Sequence, residues 1–177
     1  MAELSVVPST HVRKFRVQSW KPAAPAGAAA CAHLGIEWPL AVGKITEGDL
    51  RVLCIGPTDW IVIATTERAH TISRGLQEVA AVEGLSVVEV SDALATLRLT
   101  GPDARDVLAQ GTGVDLHPRA FPAGHCVRTR FAQIPAILHC RVDGATFECH
   151  ANRSYQGHLM SWFTRAAGES IPSPSHR

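Results

Sequence analysis

The chain is most informative first in what it lacks. No GxGxxG follows an apolar run and no GxxxxGK[ST] occurs, so there is no dinucleotide or nucleotide phosphate loop. GxSxG and HExxH are also missing, which removes the nucleophile elbow and the helical zinc-protease pattern. The cysteines are Cys31, Cys54, Cys126, Cys140 and Cys149, an odd number without a CxxC pair. The opening MAELSVVPST has neither a basic start nor an apolar run, so no export signal is expected. Reduced, buried thiols in a cytoplasmic protein are the expectation that follows. The longest uncharged stretch, Pro22 to Ile36, is alanine-rich, contains Pro25 and is too short to span a bilayer, so no membrane partner is expected. Net charge is only +1, which leaves no global field to gather nucleic acid or anionic lipid.

What is present belongs to a folded domain. The 177 residues are 46% hydrophobic and 19% charged, outside the disordered range. A chain of this length buries roughly 70% of its unfolded surface and needs no staple. His11 to Trp20 reads as a strand. The alanine-rich segment after Pro22 favours helix, with Gly35 as its stop. RVLCIG and WIVIAT read as a hairpin buried on both faces and turned at Pro57. Thr66 is placed to cap a helix over 67–82, with Ala69, Ile72, Leu76, Val79 and Ala80 at helical spacing and Gly84 after it. Leu85 to Val90 is the next strand. The order is β-α-β-β-α-β, the ferredoxin-like split unit.

The pattern then begins again. Leu94 to Thr100 is a strand, and GPDARDVLAQG a short helix with Pro102 at its first position. GHCVRTRFA and IPAILHCR are strands joined at Gln133, and VDGAT turns into the returning strand TFECHA. The last helix runs from about 153 to 167, with Tyr155, Leu159, Trp162, Phe163 and Ala166 on one stripe. Spacing with Leu159 favours Trp162 and Phe163 as core. The predicted fold is therefore α+β, with two ferredoxin-like lobes in tandem over 11–91 and 92–167 and a frayed tail at 168–177.

His139–Cys140 and Cys149–His150 resemble a metal site in one dimension. A two-residue turn at Asp143-Gly144 opposes this. It pairs Val142 with Ala145, Cys140 with Phe147 and Leu138 with Cys149. Both thiols then share an apolar face, and His139, Arg141, Thr146, Glu148 and His150 share the other. The reading is core cysteines and surface histidines, with no metal. Nothing in the sequence lowers a thiol pKa, so thiol catalysis is not expected. His117 to Arg130 (HPRAFPAGHCVRTR) holds His117, Arg119, His125, Arg128 and Arg130 and no acid. Arg128 and Arg130 leave one face of a strand. That face either is solvated or clamps a carboxylate, a phosphate or the acids of a partner.

These segments carry a resemblance. LRLTGPDARDVLA, DLHPRAFPAG with TR downstream, RSY before the last helix, IGPTDWIVIA and AHLGIEWP occur in this order over about 34–167. Together they resemble the gamma subunit of bacterial heterotetrameric sarcosine oxidase. The resemblance departs at PLAVGK, which lacks an asparagine after the proline, and over the first 30 residues. It implies an aminomethyltransferase-like fold and a non-catalytic structural or assembly subunit of a flavin-dependent N-demethylating oxidase. The implied hetero-oligomer has large and medium flavoprotein subunits. FAD, FMN, NAD and tetrahydrofolate would lie on those other chains and zinc on a small delta subunit, with no cofactor on this one. His117, Arg119, Arg128 and Arg130 are the candidate partner-binding residues, and no catalytic residue is expected here.

Two other readings compete. A stand-alone folate-binding protein of the aminomethyltransferase type would keep the fold, but the KGCYxGQE-like motif of such relatives is missing. RNA-binding ferredoxin-like sheets stack bases on aromatic residues, and RVLCIG, SVVEVS, LATLRLT and CVRTRF nearly lack them.

Overall fold

A computed structural model describes residues 3–141 and 143–168. The elements are β1 (Ser5–Pro8), β2 (Val12–Ser19), α1 (Ala23–Leu34), β3 (Ile45–Thr46), β4 (Leu50–Gly56), β5 (Asp59–Thr65), α2 (Ala69–Glu83), β6 (Leu85–Glu89), β7 (Leu94–Thr100), α3 (Ala104–Ala109), β8 (His125–Phe131), β9 (Ile134–Cys140), β10 (Phe147–Asn152) and α4 (Gln156–Ala166). They form two five-stranded antiparallel sheets, ordered β3-β4-β5-β2-β6 and β1-β7-β10-β9-β8.

The first sheet is the predicted split unit. β2 lies between β5 and β6, and the β4–β5 hairpin turns at Pro57 and Thr58. Both helices end at a left-handed glycine, Gly35 at φ 65° and Gly84 at φ 70°. α2 starts later than its spacing suggests. Arg68 occupies its N-cap position and no side chain caps it, so Thr66 does not serve as a cap. Ile72, Leu76 and Val79 are buried along α2, and α1 and α2 cover Phe15, Val17, Val52, Trp60 and Val62.

The second sheet departs from a simple repeat. Its outer strand beside β7 is β1, from the N-terminus, which has no counterpart in the sequence reading. Gly101 shows why that strand fits: at φ 123°, an added Cβ would stand 2.3 Å from the Glu3 carbonyl, so only glycine admits the passing chain. The short helix α3 begins at Ala104, with Pro102 in the turn before it rather than at its first position. α4 is preceded by a 3-10 turn over Arg153–Tyr155. α3 and α4 cover Leu97, Leu99, Leu138, Phe147 and Cys149. Phe163 is buried and stacks on Phe131, while partly buried Trp162 meets the edge of the same ring. Ala132 and Gln133, at φ 48° and 70°, make the tight β8–β9 turn.

The remaining faces of the sheets pack on each other. Leu53, Ile55, Ile61 and Ile63 of one sheet meet Cys126 and Ile137 of the other. The Cys126 N–H donates to the Gly43 carbonyl at 2.8 Å and tacks the β8 edge to the loop before β3. The result is a helix–sheet–sheet–helix stack with three apolar layers.

Candidate functional site

The β9–β10 hairpin has the register its turn residues imply: Cys140 opposes Phe147, His139 opposes Glu148 and Leu138 opposes Cys149. The pairing read for Val142 lies outside the described residues. Cys140 and Cys149 are buried under the helices with Leu138 and Phe147. Burial pushes the Cys149 thiol up to about 12, far from a nucleophilic thiolate. The opposite face corrects the sequence reading. His139, Glu148 and His150 are not on the surface; they are 0%, 0% and 1% exposed. Alternation tells which residues share a face, and here the first sheet covers that face.

Charged side chains from both sheets meet there. Arg51 of β4 donates from Nη1 to Glu148 Oε2 at 2.6 Å. Arg141 Nη1 reaches Glu148 Oε1 at 3.3 Å. Glu47, just after β3, accepts from His139 Nε2 at 2.9 Å and Arg141 Nε at 2.8 Å. His150 Nδ1 and Thr96 Oγ1 are hydrogen-bonded at 2.8 Å. Lys14 Nζ donates to the Leu94 carbonyl at 2.6 Å. Burial would raise the Glu148 carboxyl, but the facing His139 and Arg51 outweigh it and hold the group well below the usual carboxylate range. Burial also keeps His150 neutral, down to about 3, against the pull of Glu148. Burial and neighbouring Arg153 lower Lys14 to about 8.

Beside this cluster, a cleft of about 390 Å³ opens between the sheets. Ile55, Ile61 and Ile137 line it, with His150, Arg16 and Arg128. Asp59 holds Arg16 through two bonds, of 3.0 and 2.6 Å. Arg128 stands 3.9 Å from the same carboxylate and keeps 60% of its side chain exposed. Arg128 thus leans toward the cleft mouth. Arg130, on the same strand face, is exposed and turns back to the Gln133 carbonyl and side chain, at 3.2 and 3.1 Å. His117 and Arg119 are exposed in a separate turn, where the Arg119 N–H donates to His117 Nδ1. Among the described residues, no hydrogen bond or ion pair joins that turn to Arg128 or Arg130.

The segments quoted above hold the fold's fasteners. Arg105 donates to the carbonyls of Leu116 and Phe121 and lies over the Phe147 ring. It thereby sets the shape of the turn that carries His117 and Arg119. Arg153 ties α4's entry to the carbonyls of Ser91 and Asp92. Trp60 Nε1 donates to the Pro39 carbonyl at 2.8 Å.

This architecture is similar to aminomethyltransferase T of the glycine cleavage system from Bartonella henselae. The TM-score is 0.66 at 15% identity, over 92% of this chain and 46% of that one. A protein with an aminomethyltransferase-like fold is therefore the class. A chain of heterotetrameric sarcosine oxidase from Corynebacterium sp. U-96, solved with pyrrole 2-carboxylate, superposes with a TM-score of 0.85 at 24% identity over 96% of this chain and 87% of that one. Sarcosine oxidase subunit gamma of Corynebacterium sp. (strain U-96) is 30% identical over 151 residues, covering 84% of this chain and 72% of the relative. Residues 20–169 match the sarcosine oxidase, gamma subunit family, and the chain belongs to it.

Proposed function

We propose that this chain is a small structural and assembly subunit of a multi-subunit, flavin-dependent N-demethylating oxidase of the sarcosine oxidase type. In this reading, oxidation of the N-methyl amine and transfer of the one-carbon unit to tetrahydrofolate occur on partner chains. Large and medium flavoprotein subunits hold FAD, FMN and NAD, and the complex works in the cytoplasm. One observation supports a structural role above the others. Three polar side chains of the family-like segments are committed to the chain's own backbone: Arg105 to the Leu116 and Phe121 carbonyls, Arg153 to those of Ser91 and Asp92, and Trp60 to that of Pro39.

His117, Arg119, Arg128 and Arg130 are the proposed contact to the large subunit, since exposed guanidinium groups orient and steer an acidic partner. Arg128→Ala with Arg130→Ala tests it. Asp59 keeps its two bonds to Arg16, so the double variant is expected to fold normally. In co-expression with the large flavoprotein subunits, wild-type recovery should fall as salt rises. The double variant should be recovered less at low salt and respond less to salt. Equal recovery at every salt would remove the basic face from the interface. Failure of the wild type to co-purify with any flavoprotein would overturn the whole reading.

A further inference from the structure

We propose that His139, Glu148 and His150 form a binding site for a divalent transition-metal ion of the zinc class, reached from the cleft between the sheets. The site stands apart from the assembly role and does not depend on it.

Local geometry brings the donors together. Glu148 and His150 are two apart on β10, so both leave the same face of the strand, and His139 is the cross-strand partner of Glu148. Each imidazole sets one nitrogen toward the carboxylate. His139 Nδ1 and His150 Nε2 both lie 3.6 Å from Glu148 Oε2, and the three donors are within 4.8 Å of one another. Tetrahedral zinc with bonds near 2.0–2.1 Å separates its ligands by about 3.4 Å. The carboxylate pairs are already near that spacing, and the two ring nitrogens, within 4.8 Å of each other, must close by up to about 1.4 Å.

Hydrogen bonding points the same way. Glu47, ionised and held by His139 and Arg141, can only accept, so His139 Nε2 carries the hydrogen. Both His139 Nδ1 and His150 Nε2 are buried without a hydrogen-bond partner among the described residues. Two such atoms facing one carboxylate are costly unless something positive lies between them. The far nitrogens are already anchored, His139 on the Glu47 carboxylate and His150 on the Thr96 hydroxyl. Metal-binding histidines are oriented by outer partners of this kind.

Charge defines what else the site needs. Glu47 and Glu148 balance Arg51 and Arg141, and Lys14 lies nearby. A divalent ion adds two positive charges, so its fourth ligand is an anion, hydroxide or a carboxylate. His150 lines the cleft that also holds Arg16 and Arg128, and an anion reaching that position comes from there. Arg51 keeps its bond to Glu148 as an outer partner of the bound carboxylate.

The test uses the full chain without a histidine tag, stripped with chelator and then titrated with Co²⁺ or Zn²⁺. One ion per chain is expected by elemental analysis. Co²⁺ should show the intense visible bands of a four-coordinate nitrogen–oxygen site, without thiolate charge-transfer absorption. His139→Gln and His150→Gln should each weaken binding at least tenfold, whereas His33→Ala with His70→Ala, both exposed, should not change it. A folded wild type that takes up well under one ion per chain would overturn the proposal. So would stoichiometric binding that survives both glutamine variants, or Co²⁺ bands of six-coordinate or thiolate type. If the variants misfold, the wild-type stoichiometry and spectrum decide alone.

Discussion

The two faces of the β9–β10 hairpin are built on opposite principles. Toward the helices, Leu138, Cys140, Phe147 and Cys149 make an apolar core whose one neighbouring charge, Arg105 over the Phe147 ring, is satisfied by backbone carbonyls. Toward the other sheet, His139, Glu148 and His150 are as deeply buried, yet their stability rests on partners that arrive from far away in the chain: Arg51 is 97 positions from Glu148 and Glu47 is 92 from His139. The lesson is that equal burial conceals unequal fragility. The apolar face tolerates imperfect replacements in proportion to lost volume, whereas the polar face fails when one partner of a set is removed.

Glu148→Ala should therefore have the largest effect. It strands Arg51 beside two histidines, and a loss of about 3–5 kcal/mol in urea unfolding is expected. On the opposite face, Leu138→Ala removes only apolar volume and should cost about 2–5 kcal/mol. The comparison sharpens in a second background. Adding Arg51→Met to Glu148→Ala should recover part of the loss, and no second-site charge change should rescue Leu138→Ala. Absence of rescue by Arg51→Met would break the distinction between the faces.

A smaller loss is expected at the margin of the second sheet. Gly101→Ala sets a Cβ against the Glu3 carbonyl at a positive φ. The strain should cost roughly 1–3 kcal/mol and loosen β1, which hydrogen exchange at residues 5–7 would report. Unchanged protection of β1 would mean that the chain end shifts freely.

The smallest effect is a pH slope. Lys14 titrates near 8 in the folded protein against an ordinary value of 10.5. Between those values the unfolded chain holds the extra proton, so this group makes stability rise as pH increases through that window, and contributes a constant penalty below it. Lys14→Met should flatten the slope, and a wild-type slope retained in the variant would assign it elsewhere.

The elements were largely legible because their signals are local. Gly35 and Gly84 stop helices where a left-handed residue is needed, and the period-two pattern of β9 and β10 sets which side chains share a face. The misses were not local. β1 is four residues long and becomes a strand only because β7 offers it an unpaired edge. His139 and His150 read as surface residues, since polar residues alternating with core ones usually face water.

From residues 134 to 152 alone follow the hairpin, its register and the separation of thiols from imidazoles, because side chains on a strand alternate whatever lies above them. What covers each face was decided by the tertiary structure. The first sheet packs on the polar face and brings Glu47 and Arg51 to it. No sequence period records that contact, since its energy comes from charges placed together by chain segments about ninety residues apart. For the same reason the grouping of His139, Glu148 and His150 around one carboxylate oxygen, under a lid of β-sheet, was visible only once the chain had folded.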